Sequence, residues 1–267
     1  MSRRPCIFGE VLFDFFPDGR RVLGGAPFNV AWNLRALGED PLLISRVGTD
    51  ADGDSVRSAM KIWGLDEQGL QLGAGEHTGR VIVSIEDGEP SYDILHPVAW
   101  DEIEAPAVPP SCGLLYHGSL ALRSARSRES LLSLRDGADK VFLDVNLRDP
   151  WWTPEGVSDL LPSADWLKVN EDELRRLSPA GDDTESRARG LLERHSLEAL
   201  LLTRGERGAS LFLAGGETLG REPAGVADVV DTVGAGDAFS AVMILGILRD
   251  WPLPLRLERA QSFASAV

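Results

Sequence analysis

The stretch "DTVGAGDAF", residues 231–239, places Asp237 directly after Gly234, Ala235 and Gly236, at the head of the apolar run "AFSAVMILG". Glycine permits unusual backbone angles and lets another group approach the main chain. The first amides of a helix lack intrahelical partners, and the helix dipole adds partial positive charge there. Such a terminus suits an anion, and a phosphoryl group above all. A carboxylate at the same place faces the group that attacks the anion and can take its proton. An ordinary first-turn acid after a glycine turn fits the same residues, so the local pattern leaves both readings open. Two other phosphate-binding patterns are excluded. GxxxxGK[ST] occurs nowhere, and "GAGDAF" lacks the third glycine of the dinucleotide fingerprint and lies late in the chain.

Upstream of that helix the chain alternates strand and helix signals. "CIFGEVLFDFF" (6–16) reads as a strand, "PDG" as a turn and "RRVLGG" as a returning strand. "APFNVAWNLRALG" reads as a helix, with Pro27 near its start and Gly38 as its stop. "PLLISRVG" is a buried-type strand and "DADGDSVRSAMKIWG" a helix. From about residue 114, "GLLYHGSL", "KVFLDVN", "DWLKVN" and "ALLLTRG" read as strands separated by helical segments, with a hairpin at "GASLFLAGG" and "ETLGREP". Strands alternating with helices imply an α/β fold, with a mostly parallel central sheet flanked by helices. Two segments break the rule: the strand pair at about 10–24, and the hairpin at about 79–96 around "EDGE". Neither has a crossover helix, so they are expected to combine into a small β-sheet lid. In α/β folds the ligand sits at the carboxyl ends of the strands, where such a lid would cover it. The whole of 1–267 is expected to form one domain.

The chain carries 27 Lys and Arg against 42 Asp and Glu, a net charge of −15. That disfavours nonspecific binding to nucleic acid or to anionic membranes. No stretch of 18 apolar residues occurs and no signal-peptide pattern opens the chain, so a cytoplasmic protein is expected. Cys6 and Cys112 lie far apart and read as core residues of a reducing compartment. The four histidines, 77, 96, 117 and 195, lack metal-ligand spacing.

At this point the resemblance becomes specific. "DTVGAGDAF" resembles the C-terminal signature of the ribokinase (PfkB) family of carbohydrate kinases. "GGAPFNVAWNLRALG" (24–38) resembles that family's N-terminal glycine-rich signature. Between and around them, "GEVLFDFFP" (9–17), "VGTDADGD" (47–54), "KVNEDE" (168–173) and "LLTRGERGA" (201–209) match further family elements in order. The resemblance implies a ribokinase-like fold and an ATP-dependent sugar kinase. It implies that Asp237 is the catalytic base, and that Gly234, Ala235 and Gly236 build the anion hole with the amide of Asp237. Asp14, Gly25, Asn29, Asn146 and Arg148 would bind the sugar. Asn170, Thr203, Gly205, Gly208 and Gly236 would lie on the nucleotide side. Asn170 and Glu173 would organise Mg²⁺ through water, while also fitting a helix capping box. Asp231 and Val233 would supply the front of a K⁺ site. The family's C-terminal tail, which lies near adenine and completes that site, is not matched beyond "AQSFASAV".

The front signature "GGAPFN" is the fructokinase-like form, without the lysine that ribokinases and phosphofructokinases carry there. The expected reaction is therefore the phosphorylation of D-fructose to fructose 6-phosphate by Mg-ATP. The alternatives are 2-keto-3-deoxygluconate, a nucleoside acceptor, or a catalytically impaired binding relative. The apolar residues Val81, Val83 and Ile85 of the lid imply a homodimer through that sheet.

Overall fold

The computed structural model describes residues 4–86, 89–107, 111–178, 181–221 and 234–267. Its centre is a nine-stranded sheet in the order β13-β12-β11-β10-β9-β8-β1-β4-β5. The parallel members are β1 (Arg4–Phe8), β4 (Leu42–Gly48), β5 (Leu70–Gly73), β8 (Cys112–His117), β9 (Val141–Asp144), β10 (Trp166–Asn170) and β11 (Ala199–Thr203). β12 (Ala209–Leu213) and β13 (Thr218–Arg221) close one edge as antiparallel strands. The inner strands are apolar on both faces, because helices cover both. Cys6, Phe8, Ile44, Leu143 and Leu200 point into one core, while Ile7, Leu43, Phe142 and Leu201 point into the other.

A second sheet, in the order β3-β2-β6-β7, contains β2 (Leu12–Phe15), β3 (Arg21–Gly24), β6 (Gly79–Glu86) and β7 (Glu89–Ile94). β2 pairs with β6 in parallel, and the outer pairs are antiparallel. The two segments without crossover helices therefore do form one sheet. The segment 6–16, however, is two strands rather than one. The chain breaks at Gly9, with φ 145°, where a Cβ would lie 2.5 Å from Cγ of Pro27. One residue without a side chain lets the backbone pass α1 (Ala26–Ala36) and change sheets. β5, a short edge strand, has no sequence signal of its own beyond Leu70 and Leu72.

Helix starts follow their local chemistry. Asp50 caps α2 (Ala51–Trp63) by accepting the Gly53 amide at 2.8 Å, and Gly64 ends the helix in the left-handed region. α3 (Ala125–Arg135), α4 (Pro154–Ser158), α5 (Glu171–Leu177) and α6 (Thr184–Arg194) complete the connections between β8 and β11. α7 (Ala235–Leu248) is apolar all round and buried from Ala238 to Ile247, as a helix at the centre of a layer must be. It packs against α1 and α8 (Leu253–Ala264). Cys6 and Cys112 are buried in the core. Among the described residues no helix is long and apolar enough to cross a membrane.

Candidate active site

The parallel strands deliver their carboxyl ends to one side of the large sheet, and the residues singled out in the sequence gather there. Asn146 and Arg148 follow β9, Asn170 ends β10 and Thr203 ends β11. Asn170 and Thr203 are paired in register, which makes "KVNEDE" and "LLTRGERGA" neighbours.

Asp237 lies in the first turn of α7, behind Gly234, which caps the helix at φ 87°. The left-handed cap explains a glycine at this position. Asn29, in α1, donates from Nδ2 to Oδ2 of Asp237 at 2.8 Å. Burial pushes the Asp237 carboxyl up to about 6; the Asn29 hydrogen bond opposes the shift and the Asp144 charge adds to it. A carboxyl in that range is poised to take a proton near neutral pH.

Beneath Asp237 lies a buried polar cluster. Oδ2 of Asp144 accepts from Nζ of Lys168 at 2.7 Å, from Oγ of Ser240 at 2.9 Å and from the Tyr116 hydroxyl at 3.3 Å. Burial alone would lower Lys168, but the Asp144 charge and hydrogen bond outweigh it and hold the ammonium charged. A Cβ at Gly236 would sit 3.5 Å from that Nζ, so the lysine lies directly under the glycine turn.

In the small sheet, Asp14 lies in β2, opposite Val22 of β3 and Val81 of β6 in the strand register. Burial raises its carboxyl, and the Arg148 charge opposes that rise. Gly25 caps α1 at φ 105°, and a Cβ there would meet the Glu10 carbonyl oxygen at 2.7 Å. Its freedom is therefore used on the protein's own backbone. Asn146 takes a left-handed φ of 43°, which turns the chain after β9 toward Arg148. The Arg148 side chain makes one hydrogen bond among the described residues, from Nη1 to the Leu147 carbonyl at 3.4 Å. Its charge nonetheless acts on Asp14, Glu10 and Asp237 together. Asp14 of β2, Glu10 between β1 and β2, and Asp237 of α7 thus all feel the charge of an arginine that is bonded to none of them.

At the carboxyl end of β10, Asn170 and Glu173 form a reciprocal capping box at α5: Oδ1 of Asn170 accepts the Glu173 amide at 2.9 Å, and Oε2 of Glu173 accepts the Asn170 amide at 2.8 Å. Oε1 of Glu173 accepts the Leu147 amide at 2.9 Å, which ties this element to the Arg148 loop. With an amide on each oxygen, the buried Glu173 carboxylate suits contact with a cation through water better than direct ligation. Gly205 (φ 55°) and Gly208 (φ 78°) make the tight turn after β11. Arg204 is committed to Ser210 at 2.6 Å and to Glu171. Asp231 and Val233 lie outside the described residues.

Three buried ionisable residues whose charges act with that of Asp237 gain no role from any motif in the sequence. Lys168 and Asp144 looked like ordinary strand residues, and only the spacing of their strands pairs them. Glu10 is 2% exposed, and its Oε2 has no hydrogen-bond partner among the described residues. Burial pushes it up to about 7, with Arg148 opposing and Asp237 adding. Its one signal was an acid beside a glycine in "GEVLFD". His117 is a core residue whose burial lowers it to about 4, and among the described residues no group of three His, Cys, Asp or Glu is arranged for a metal.

Comparison with known proteins places this geometry. The profile described as pfkB family carbohydrate kinase matches residues 16–267. A fructokinase of Klebsiella pneumoniae is 33% identical over 264 residues, covering 92% of this chain and 85% of that protein. The apo crystal structure of fructokinase from Vibrio cholerae O395 superposes with a TM-score of 0.84 at 26% identity, covering 100% of this chain and 97% of the other. Aminoimidazole riboside kinase from Salmonella enterica, complexed with aminoimidazole riboside and an ATP analog, superposes with a TM-score of 0.83 at 27% identity, covering 98% and 91%.

Proposed function

This chain belongs to the pfkB family of carbohydrate kinases, and on that footing we propose that it transfers the γ-phosphoryl of ATP to the 6-hydroxyl of D-fructose. The observation that carries the reading is the hydrogen bond between Asn29 and Asp237, which joins the two signature motifs at one point. Asp237 takes the hydroxyl proton as the sugar oxygen bonds to the γ-phosphorus and the bridging oxygen of ADP leaves. The amides of Ala235, Gly236 and Asp237, freed for contact by the Gly234 turn, stabilise the charge on the transferring phosphoryl. Asp14, Asn29 and Arg148 orient the sugar, with Gly25 and Asn146 shaping the backbone around it. Thr203, Gly205 and Gly208 line the nucleotide side. Mg²⁺, when bound, neutralises phosphate charge, and Asn170 and Glu173 would hold it through water. Asp231 and Val233 would contribute to a K⁺ site.

The small sheet acts as the lid of this site. Its Asp14-bearing face becomes more exposed outward, with Val81 and Val83 buried, Tyr92 54% exposed and Ile85 65% exposed. A second copy of the chain covers that apolar edge.

The test is ADP release from Mg-ATP over fructose, glucose, ribose, 2-keto-3-deoxygluconate, adenosine, aminoimidazole riboside and fructose 6-phosphate, with Asp237→Asn alongside. Fructose-dependent turnover that collapses in the variant is expected. A faster rate on the riboside would move the acceptor class to nucleosides. Absence of turnover on every acceptor by the folded protein would sink the kinase reading.

A further inference from the structure

Asp52 is the second residue of α2, and its side chain is buried. Two arginines hold it. Arg21 of β3 donates from Nη1 to Oδ1 at 2.5 Å. Arg80 of β6 donates from Nε to Oδ2 at 2.8 Å, with Nη2 2.7 Å from the same oxygen. A buried carboxylate is costly without such partners. Both partners belong to the small sheet, whereas α2 packs against β4 of the large one. Asp52 is therefore a side-chain link between the small sheet and the body of the protein.

The link grips one strand in particular. β3 and β6 flank β2, which carries Asp14. In the register Arg21 stands opposite Phe15, and Arg80 opposite Phe13. Successive side chains of a strand alternate between its faces, so the two arginines and the two phenylalanines share one face and Asp14 takes the other. Each guanidinium crosses the strand on the diagonal. Arg21 lies 5.0 Å from the ring centroid of Phe13, and Arg80 5.2 Å from that of Phe15. β2 is thus covered from both sides by arginines whose tips end on one carboxylate. Asp50, the cap of the same helix, fixes the approach to β6: it accepts the Thr78 amide at 3.0 Å and the Thr78 hydroxyl at 2.6 Å. The start of α2 holds the root of the small sheet through Asp50 and its inner strand through Asp52.

We propose that Asp52 is a positioning residue for the acceptor sugar: by drawing Arg21 and Arg80 onto α2 it fixes β2 from both flanks and so sets where Asp14 stands in the site. The inference rests on the phosphoryl-transfer reading above. Asp237 and α7 lie outside this link. The hold therefore acts on sugar binding, and the chemical step is left to Asp237.

The experiment is KM and kcat for fructose, with KM for ATP, in wild type, Asp52→Asn, Arg21→Met, Arg21→Lys, Asp14→Asn and the Asp14→Asn, Asp52→Asn double variant. In Asp52→Asn the KM for fructose is expected to rise roughly tenfold, with kcat and the KM for ATP unchanged. Arg21→Met keeps a chain over Phe13 without the charge and should raise KM in the same way. Arg21→Lys restores a cation within reach of one carboxylate oxygen and should recover most of that loss. In the Asp14→Asn background, Asp52→Asn adds nothing further, because it acts through Asp14. An unchanged fructose KM in folded Asp52→Asn, a loss confined to kcat, or fully additive costs overturns the proposal. Should Asp52→Asn fail to fold, the Arg21 variants decide it, since that side chain is 46% exposed: a raised KM in Arg21→Met with recovery in Arg21→Lys supports it, and equal KM values in the two overturn it. Fructose turnover with unmoved KM values sinks this inference alone. No turnover on any acceptor sinks the kinase reading and this inference with it.

Discussion

Asn29 Nδ2 lies 2.8 Å from Asp237 Oδ2, a hydrogen bond that spans 208 residues of sequence and joins the first helix to the seventh. It orients the carboxylate and steadies its charged form against the burial that raises it. Each motif is incomplete alone: α7 supplies an acid in its first turn behind a glycine cap, and α1 supplies the donor that aims it.

Asn29→Ala removes that donor. The acid limb of kcat/KM, near 6 in wild type, is expected to move to higher pH. At neutral pH the rate should fall by about tenfold or more, the worth of a hydrogen bond to a charged group. pH–rate profiles of the two proteins check both; an unmoved acid limb would show that Asn29 does not tune the base.

Asp237→Asn should lower kcat by a factor on the order of 10²–10⁴, the usual contribution of a general base. It should also change the pH dependence of stability. The folded-state carboxyl is raised from 3.8 to about 6, so its protonated form favours the folded protein below 3.8, and that advantage is lost as pH rises through about 6. Melting temperatures across this window should decline in wild type relative to the variant. Parallel curves would contradict the buried environment assigned to Asp237.

Lys168→Met leaves the Asp144 carboxylate buried without its cation. Breaking a buried pair from one side costs about 3–5 kcal/mol. Urea unfolding should register that loss, and Asp144→Asn with Lys168→Met together should recover part of it. A near-neutral single variant would mean that Ser240 and Tyr116 suffice for Asp144.

Gly25→Ala puts a methyl 2.7 Å from the Glu10 carbonyl at a φ of 105°. Strain of this kind costs on the order of 1–3 kcal/mol and shifts the start of α1. Because Asn29 rides on that helix, kcat/KM should drop further than the melting temperature alone would suggest. Equal activity with lowered stability would detach Gly25 from the site.

In sedimentation the wild-type chain is expected at the mass of a dimer, and Ile85→Lys at that of a monomer, since a charge on the exposed lid face opposes its burial. A monomeric wild type would remove the dimer from the proposal.

Much of this was legible in the linear chain. The buried parallel strands announce themselves as apolar runs, and α7 as a helix apolar on every side. Gly234 and Asp237 at the start of α7, and Asn170 and Glu173 at the start of α5, are each three residues apart within a single helical turn, where spacing alone fixes who meets whom. The two-segment small sheet was legible as an interruption in the strand–helix alternation. The division of 6–16 was not: Gly9 is one glycine in an apolar run, and its meaning depends on Pro27 occupying the space beside it.

By itself, then, the sequence determined the family, the layer architecture and the acid in the first turn of the apolar helix α7, because periodicity and helix-end chemistry are local. Only the tertiary structure decided that Lys168 is spent on Asp144, that the Arg148 charge acts on Asp14, Glu10 and Asp237 without bonding to any, and that Glu10 is buried. Those relations depend on which strand ends become neighbours and on how much water packing removes. Both are set by contacts between residues tens to hundreds of positions apart, and no spacing within one segment encodes them.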